Sequence, residues 1–171
     1  LWAGVSAWVG ISDLSAWHSE CKKAKRKYWH DIEASCGGPP GKSAEVDREY
    51  SRRSPLTWLK DYQGPAIDIN AGIHDGHTGS VPISQSLLAF NRIAEKKDRV
   101  AVTDILAMTK TAKVPEHLQR ELKDPTYGKK RPLFRALSKN ARVTIFDGGH
   151  EIVTTAAFGW LSKQRRSASK R

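Results

Sequence analysis

Residues 66–86, AIDINAGIHDGHTGSVPISQS, carry the pattern from which the fold is predicted, and residues 144–151, TIFDGGHE, repeat that pattern near the C-terminus. Each stretch begins as a short apolar run and continues into a glycine-rich turn with an ionisable residue, Asp75 in the first and His150 in the second. Both patterns predict a strand, a loop and then a helix. In an open parallel sheet, the loops at the carboxyl ends of the strands border one crevice. We therefore expect an α/β fold in which Asp75 and His150 meet.

An acid and a histidine in such a crevice are two of the three members of a catalytic triad. A neutral histidine is a good general base, and a buried carboxylate on its other ring nitrogen fixes the tautomer and stabilises the imidazolium. The acid precedes the histidine, as in the Ser, Asp, His order of one large hydrolase group. The alternative is structural, with Asp75 closing its turn and His150 capping the last helix. We favour catalysis because both residues follow a strand and have glycines beside them.

The composition is that of one globular domain with a strong positive charge. The chain has 171 residues, 39% of them hydrophobic, and a formal net charge of +11. It contains no apolar run long enough to span a bilayer. Basic residues concentrate at 22–27 (KKAKRK) and in a tail at 163–171. We expect these blocks to be solvated surface, and no nucleic-acid partner, because aromatic residues do not alternate with the basic ones.

The cysteines and histidines do not predict a metal site. Cys21 and Cys36 bracket a predicted helix. They would form one disulfide if the protein is exported, or they are a pair of ordinary buried or exposed thiols, and the sequence does not decide between the two. We slightly favour export. His74 and His77 flank Asp75, but an HxxH pattern in a glycine-rich turn has no helix to hold both rings on one face. We expect neither a metal nor a cofactor.

Two other short motifs do not meet the requirements of the sites that they resemble. Residues 4–8, GVSAW, begin like a nucleophile elbow, but that turn needs a small residue where Trp8 stands, so Ser6 is interpreted as structural. Residues 36–45, CGGPPGKSAE, end like a phosphate-binding loop. Their two prolines remove backbone donors that such a loop uses, and no strand precedes them. We interpret this segment as a linker.

The remaining pattern places the elements around the two loops. Strands are expected in residues 1–11, 66–71 and 141–146, and helices in residues 14–35, 84–97 (with Ser84 as its cap) and 151–161. Two further segments, about 12–63 and 98–140, are interpreted as helical insertions, the second lying outside the sheet and lining the substrate pocket.

Four stretches together resemble a known family: GVSAWVGISDLSAWH, RRSPLTWL, INAGIHDGHTGSVPISQSLLAFN and VTIFDGGHE. They look like the C-terminal part of an α/β-hydrolase, among the prolyl-oligopeptidase-like serine hydrolases and related esterases. The resemblance implies a parallel eight-stranded sheet with helices on both faces, and residues 1–171 would supply its last three strands as part of one domain. It also implies that Asp75 is the triad acid and His150 the triad base.

The sequence departs from that family in one respect, because no GxSxG elbow occurs in the 171 residues. The nucleophile and the oxyanion donors would then lie upstream of Leu1, in an N-terminal half of the same hydrolase. Without that half, the first strand would expose Trp2 and Trp8 along an open apolar edge. The expected substrate is a carbohydrate or other small ester, or a short peptide. The alternatives are a non-catalytic module that binds a polyanion and a hydrolase-like protein without activity.

Overall fold

The structure is a computed structural model that describes residues 2–165. Within that range the chain forms the strands β1 (Gly4–Trp8), β2 (Ala66–Gly72), β3 (Pro132–Ser138) and β4 (Ala141–Phe146). Its α-helices are α1 (Leu14–Lys23), α2 (Tyr28–Cys36), α3 (Ala44–Arg53), α4 (Pro55–Trp58), α5 (Ser84–Ile93), α6 (Val102–Thr111) and α7 (Thr154–Leu161). Short 3₁₀ turns lie at Lys96–Asp98, Glu116–Leu118 and Pro125–Tyr127. Arg166, Lys170 and Arg171 of the predicted basic tail lie outside the described residues.

The four strands form one open sheet in the order β1-β2-β4-β3. β2 pairs in parallel with β1 and with β4, so these three strands end at the same edge of the sheet. β3 pairs with β4 in the antiparallel direction. The expected α/β class is confirmed at this level, as a mostly parallel open sheet with helices.

The prediction that residues 98–140 lie outside the sheet is wrong for the last part of that segment. β3 forms a hairpin with β4, and the turn between them has Lys139 in the left-handed region at φ 50°. Left-handed backbone in a hairpin turn is usually supplied by glycine or asparagine, so a lysine there conceals the hairpin in the sequence. The rest of the segment forms α6 and 3₁₀ turns on the surface.

β2 is buried on both faces, as a central parallel strand should be. Ile67, Ile69 and Ala71 lie in the main core. That core also contains Leu87 and Phe90 of α5, Ile105 and Met108 of α6, and Val143 and Ile145 of β4. Asp68 and Asn70 point to the other face, where α7 packs, and both are fully buried. Helices therefore cover both faces of the sheet.

The predicted helix at 14–35 is two helices, because the chain turns after α1. Lys25 adopts a left-handed conformation at φ 53°, and the Arg26 N–H donates to the Cys21 carbonyl. This turn lies inside the basic block, where no glycine or proline marks it.

At the start of α1, the Asp13 carboxylate accepts from the Ala16 N–H as a helix cap.

Two helix starts also differ from those predicted. Ile83, not Ser84, is the residue before α5, and Ser84 is the first helical residue. α7 begins at Thr154 after Val153, rather than at residue 151. The Gly148–Gly149 turn therefore continues into four more residues of loop, 150–153, before the helix starts.

β1 occupies one edge of the sheet, and its outer side pairs with no strand of the described residues. Trp2 is 78% exposed, as expected for an open edge. Trp8, which was also expected to be exposed, is half-buried. Its ring centroid lies 5.6 Å from that of Phe146 and 6.1 Å from that of Tyr127. Across residues 2–165, no helix has the length and apolar character needed to cross a bilayer.

Candidate active site

Asp75 and His150 lie on neighbouring loops at the carboxyl edge of the sheet. β2 and β4 pair directly, with Gly72 opposite Phe146 at their ends, and each strand is followed by one of the two glycine-rich turns. The two loops are joined by backbone hydrogen bonds from the Ile73 N–H to the Phe146 carbonyl and from the His74 N–H to the Gly148 carbonyl, both 2.9 Å. The parallel pairing thus brings the acid and the histidine to one place.

The two side chains are in direct contact. His150 Nδ1 lies 2.8 Å from Asp75 Oδ2. The Asp75 side chain is completely buried, whereas that of His150 is 44% exposed. The other carboxylate oxygen, Asp75 Oδ1, accepts hydrogen bonds from the backbone N–H groups of Gly76 at 2.9 Å and Val81 at 3.2 Å. Both oxygens of a buried carboxylate are therefore satisfied, one by its own turn and one by the histidine.

Two glycines create the space for this contact. A Cβ at position 79 would collide with Asp75 Oδ1 and would lie 2.8 Å from His150 Cβ. A Cβ at Gly72 would collide with the backbone of Gly148 and Gly149. Any side chain at these two positions would push apart the acid loop, residues 73–83 with Asp75, and the histidine loop, residues 147–153 with His150.

The arrangement presents one free ring nitrogen. Because Asp75 binds Nδ1, a neutral His150 carries its proton there and Nε2 is the lone-pair nitrogen. Nε2 has no hydrogen-bond partner among residues 2–165. A half-exposed imidazole held in this way can accept a proton at Nε2, and the carboxylate then faces the imidazolium that forms.

The alternative to catalysis was that His150 caps the last helix and Asp75 closes its own turn. The structure excludes this role for His150 and shows it in part for Asp75. Val153 occupies the cap position of α7, so His150 does not cap the helix. Asp75 does close its turn, through Oδ1, while Oδ2 remains available for the histidine.

The other histidines of the acid loop bind separate partners. His74 Nε2 lies 3.5 Å from Asp147 Oδ1, and His77 Nε2 lies 2.9 Å from the carbonyl oxygen of Thr109. No group of three or more metal-ligating side chains forms within the described part of the chain. Ser6 lies within β1, where it accepts a hydrogen bond from Trp8 Nε1 at 2.8 Å.

Residues 124–131, called the strap below, support the histidine loop from outside, and the sequence does not reveal them. The Asp147 N–H donates to the Arg131 carbonyl at 2.9 Å, and Lys130 Nζ donates to Glu151 Oε1 at 2.9 Å. Glu151 Oε1 also accepts from the Gly149 N–H at 3.0 Å. The Lys130 ammonium and this N–H hold the pKa of the Glu151 carboxyl below its usual value.

The acid loop is fastened to the helical segment at 12–63. Trp17 Nε1 donates to the Ser80 carbonyl at 2.9 Å. Gln85, in the first turn of α5, accepts the backbone N–H groups of Ser12 and Asp13 at 3.0 and 2.8 Å. The expected insertion is therefore bonded to the loop that carries Asp75.

A buried polar cluster lies below the two loops. Because its residues are polar, the apolar pattern of the sequence does not predict that they are buried. Arg142 Nε donates to Asp68 Oδ1 at 2.7 Å, and Asn70 Nδ2 donates to Asp68 Oδ2 at 2.9 Å. The hydroxyl of Tyr127, in the strap, donates to Asn70 Oδ1 at 2.5 Å. This cluster joins β2 and β4 to the strap beneath the histidine loop.

A groove of about 670 Å³ opens beside the same edge of the sheet. His74 and Asp147, one from each loop, form part of its wall. Most of the remaining wall comes from residues 112–114, 119–123 and 131–133. These residues belong to the segment at 98–140, which the sequence predicts to line a substrate pocket.

The two cysteines are both buried free thiols. Burial raises the pKa of the Cys21 thiol and of the Cys36 thiol, which disfavours the reactive thiolate at neutral pH.

Comparison of the chain with protein-family models, with curated proteins and with solved structures found no match.

Proposed function

We propose that this chain is the C-terminal part of an α/β-hydrolase of the serine type, in which Asp75 is the triad acid and His150 the general base. The observation that carries the proposal is the 2.8 Å contact between Asp75 Oδ2 and His150 Nδ1. It joins a fully buried carboxylate to a histidine with an unpartnered Nε2, at the carboxyl edge of a parallel sheet. That set of roles is the acid and base portion of a hydrolytic triad.

The reaction follows from these roles. Nε2 of His150 removes the proton of a serine hydroxyl as the serine oxygen attacks the carbonyl carbon of an ester or peptide. The imidazolium, stabilised by Asp75, then protonates the leaving alcohol or amine, and an acyl-enzyme remains. A water molecule, deprotonated by the same nitrogen, attacks the acyl carbon, and the imidazolium returns that proton to the serine oxygen as the acid is released.

The serine is proposed to come from an N-terminal half of the same hydrolase. No GxSxG elbow occurs in the 171 residues, and Ser6 is used within its strand. The unpaired edge of β1 supports the proposal, since a parallel strand added there would continue the sheet and end at the same edge as β2 and β4.

The proposed substrates are small esters, including esters of carbohydrates, and then short peptides. The groove of about 670 Å³ beside His74 and Asp147 has room for ligands of this size and lies next to the catalytic pair, although neither Asp75 nor His150 lines it. No membrane partner is proposed.

The experiment measures hydrolysis of p-nitrophenyl acetate and of peptide p-nitroanilides by the complete protein that contains these residues. His150→Ala should reduce kcat/KM by a factor on the order of 10³ or more, since a triad base is lost. His77→Ala is the matched control, because His77 lies on the acid loop but binds the Thr109 carbonyl, and it should keep most of the activity. If the wild-type protein hydrolysed neither substrate, the proposed hydrolase function would be contradicted. Equal rates for wild type and His150→Ala would refute the catalytic role of His150.

A further inference from the structure

A second groove lies at the opposite end of the sheet from Asp75 and His150. Its volume is about 540 Å³, and it opens between α4, α5 and α6. Its lining includes Leu56, Leu88 and Val102 and the three basic residues Arg92, Lys96 and Arg99. α5 starts just after the acid loop, and the residues that follow it lie by the amino ends of the strands. The Glu95 N–H donates to the Ser138 hydroxyl at 2.9 Å, and Ser138 pairs with Ala141, the first residue of β4.

The charged residues of this groove are all basic. Arg92, Lys96 and Arg99 line it, and no carboxylate does. None of the three forms an ion pair with any carboxylate of residues 2–165. The nearest acids in the sequence are bound elsewhere, Glu95 to Lys97 and Lys139, and Asp98 to the Ser138 hydroxyl.

Both arginine side chains are held in place by a hydrogen bond from Nε to a backbone carbonyl. Arg92 Nε donates to the Leu56 carbonyl at 3.1 Å, and Arg99 Nε donates to the Ala94 carbonyl at 3.2 Å. No hydrogen bond from their terminal nitrogens to another described residue is formed. A guanidinium fixed in this way keeps the paired donors that match a carboxylate, and loses less side-chain entropy on binding it.

The rest of the wall is apolar and continues onto α6. Leu56, Leu88 and Val102 line the groove, and Val102 is 62% exposed. Leu106, one helical turn further along α6, is also 62% exposed. Residues four apart lie on one helix face, so the apolar wall extends as a stripe beyond the groove.

We propose that this groove binds an acidic peptide segment of a partner protein, with carboxylates for the two arginines and apolar side chains for the Val102 wall. A second copy of this chain is a poor occupant of this basic groove, because the net charge of +11 makes its own surface basic rather than acidic. A nucleic acid would leave the apolar wall without a partner. The proposal concerns a surface remote from the catalytic pair and does not depend on hydrolase activity.

The test is binding of a short fluorescent peptide of alternating Glu and Leu to the complete protein, followed by fluorescence anisotropy. The double variant Arg92→Gln/Arg99→Gln should weaken binding by about tenfold or more, because charged hydrogen bonds are lost. The control Lys23→Gln/Lys129→Gln removes the same charge from exposed positions elsewhere and should change affinity by less than about twofold.

A third variant, Val102→Asp, tests the apolar wall at an exposed position, where the fold should tolerate it, and should abolish binding of the Glu-Leu peptide. Equal losses in the arginine and lysine double variants would overturn the proposal, since binding would then follow net charge. It would also be overturned if poly-glutamate or a DNA duplex bound as tightly as the Glu-Leu peptide, or if the peptide did not bind.

Discussion

The Asp75 carboxylate has a structural role and a proposed catalytic role at once, and each role uses a different oxygen. Oδ1 closes the glycine-rich turn through two backbone N–H groups, and Oδ2 binds His150. The sequence presents turn closure and catalysis as alternatives, because a residue type and its spacing do not show which oxygen binds what. The turn that the carboxylate closes is also what holds it rigid toward the histidine.

Gly79→Ala tests whether the space around this pair matters. The added Cβ would collide with Asp75 Oδ1 and lie 2.8 Å from His150 Cβ, so we expect the contact to be broken. Activity of the complete protein should fall by a factor on the order of 10², as for misplaced catalytic groups. The matched control is Gly10→Ala, since a Cβ there has nothing within 4 Å. Similar activities for the two variants would contradict the geometry described for Gly79.

The sequence locates Asp75 and His150, because residue type, strand pattern and glycine turns coincide at both. It does not locate Glu151, Asp68 or Gly79. Glu151 resembles a surface acid, and a buried Asp68 contradicts the apolar pattern that identifies a strand interior. The contacts that give these residues their roles come from segments distant in the chain.

At the scale of the elements, the strap is joined to the sheet by a charged pair. Asp124 Oδ2 accepts from a terminal nitrogen of Arg135 in β3 at 2.8 Å, and both side chains are mostly buried. Asp124 Oδ1 accepts from the Thr126 N–H and hydroxyl. Burial alone would raise the pKa of the Asp124 carboxyl, but the bonds from Thr126 and Arg135 outweigh it and lower the pKa.

Asp124→Asn should therefore reduce stability in a pH-dependent way. A carboxyl whose pKa is lowered on folding stabilises the fold above its unfolded value, near 3.8, and this stabilisation is lost as pH falls through the lower folded value. At neutral pH we expect the variant to be less stable by about 1.5–3 kcal/mol, the range for hydrogen bonds to charged groups. Urea unfolding, followed by tryptophan fluorescence, measures the difference.

The difference between wild type and Asp124→Asn should close at acidic pH, below the pKa values of Asp124. Glu116→Gln removes an exposed carboxyl that forms no ion pair within residues 2–165, and is the control. A constant difference from neutral to strongly acidic pH would mean that the Asp124 charge does not stabilise the strap.

The parallel strands were predictable, and β3 was not, for a physical reason. β2 and β4 are buried on both faces, and their apolar runs show this in the sequence. β3 is an edge strand of mixed composition that begins with Pro132, and its turn has a lysine in the left-handed region. The sequence does not show the break between α1 and α2 for a similar reason, since Lys25 adopts the left-handed conformation without a glycine.

At the scale of the whole molecule, the open edge of β1 predicts association. Val5, in β1, is 39% exposed, and the outer backbone groups of the strand pair with no described strand. Open apolar edges pair with other chains. We expect the polypeptide 1–171 by itself to self-associate rather than remain a 19.1 kDa monomer, as light scattering would show.

Val5→Lys should reduce this association, because a charge on an edge strand opposes pairing. Leu137→Lys is the matched control, since Leu137 is 66% exposed on β3, the other edge of the sheet. If wild-type 1–171 were a stable monomer, or if the two lysine substitutions reduced self-association equally, the β1 edge would not be the surface through which the chains associate.

The most direct measurement is the intact mass of the complete protein after reaction with a fluorophosphonate, which forms a stable adduct with an activated serine. We expect one adduct, on a serine outside residues 1–171, whose formation is lost in His150→Ala and strongly slowed in Asp75→Asn. An unlabelled wild-type protein, or an adduct that forms equally fast in both variants, would contradict the assignment of Asp75 and His150 to a serine hydrolase triad.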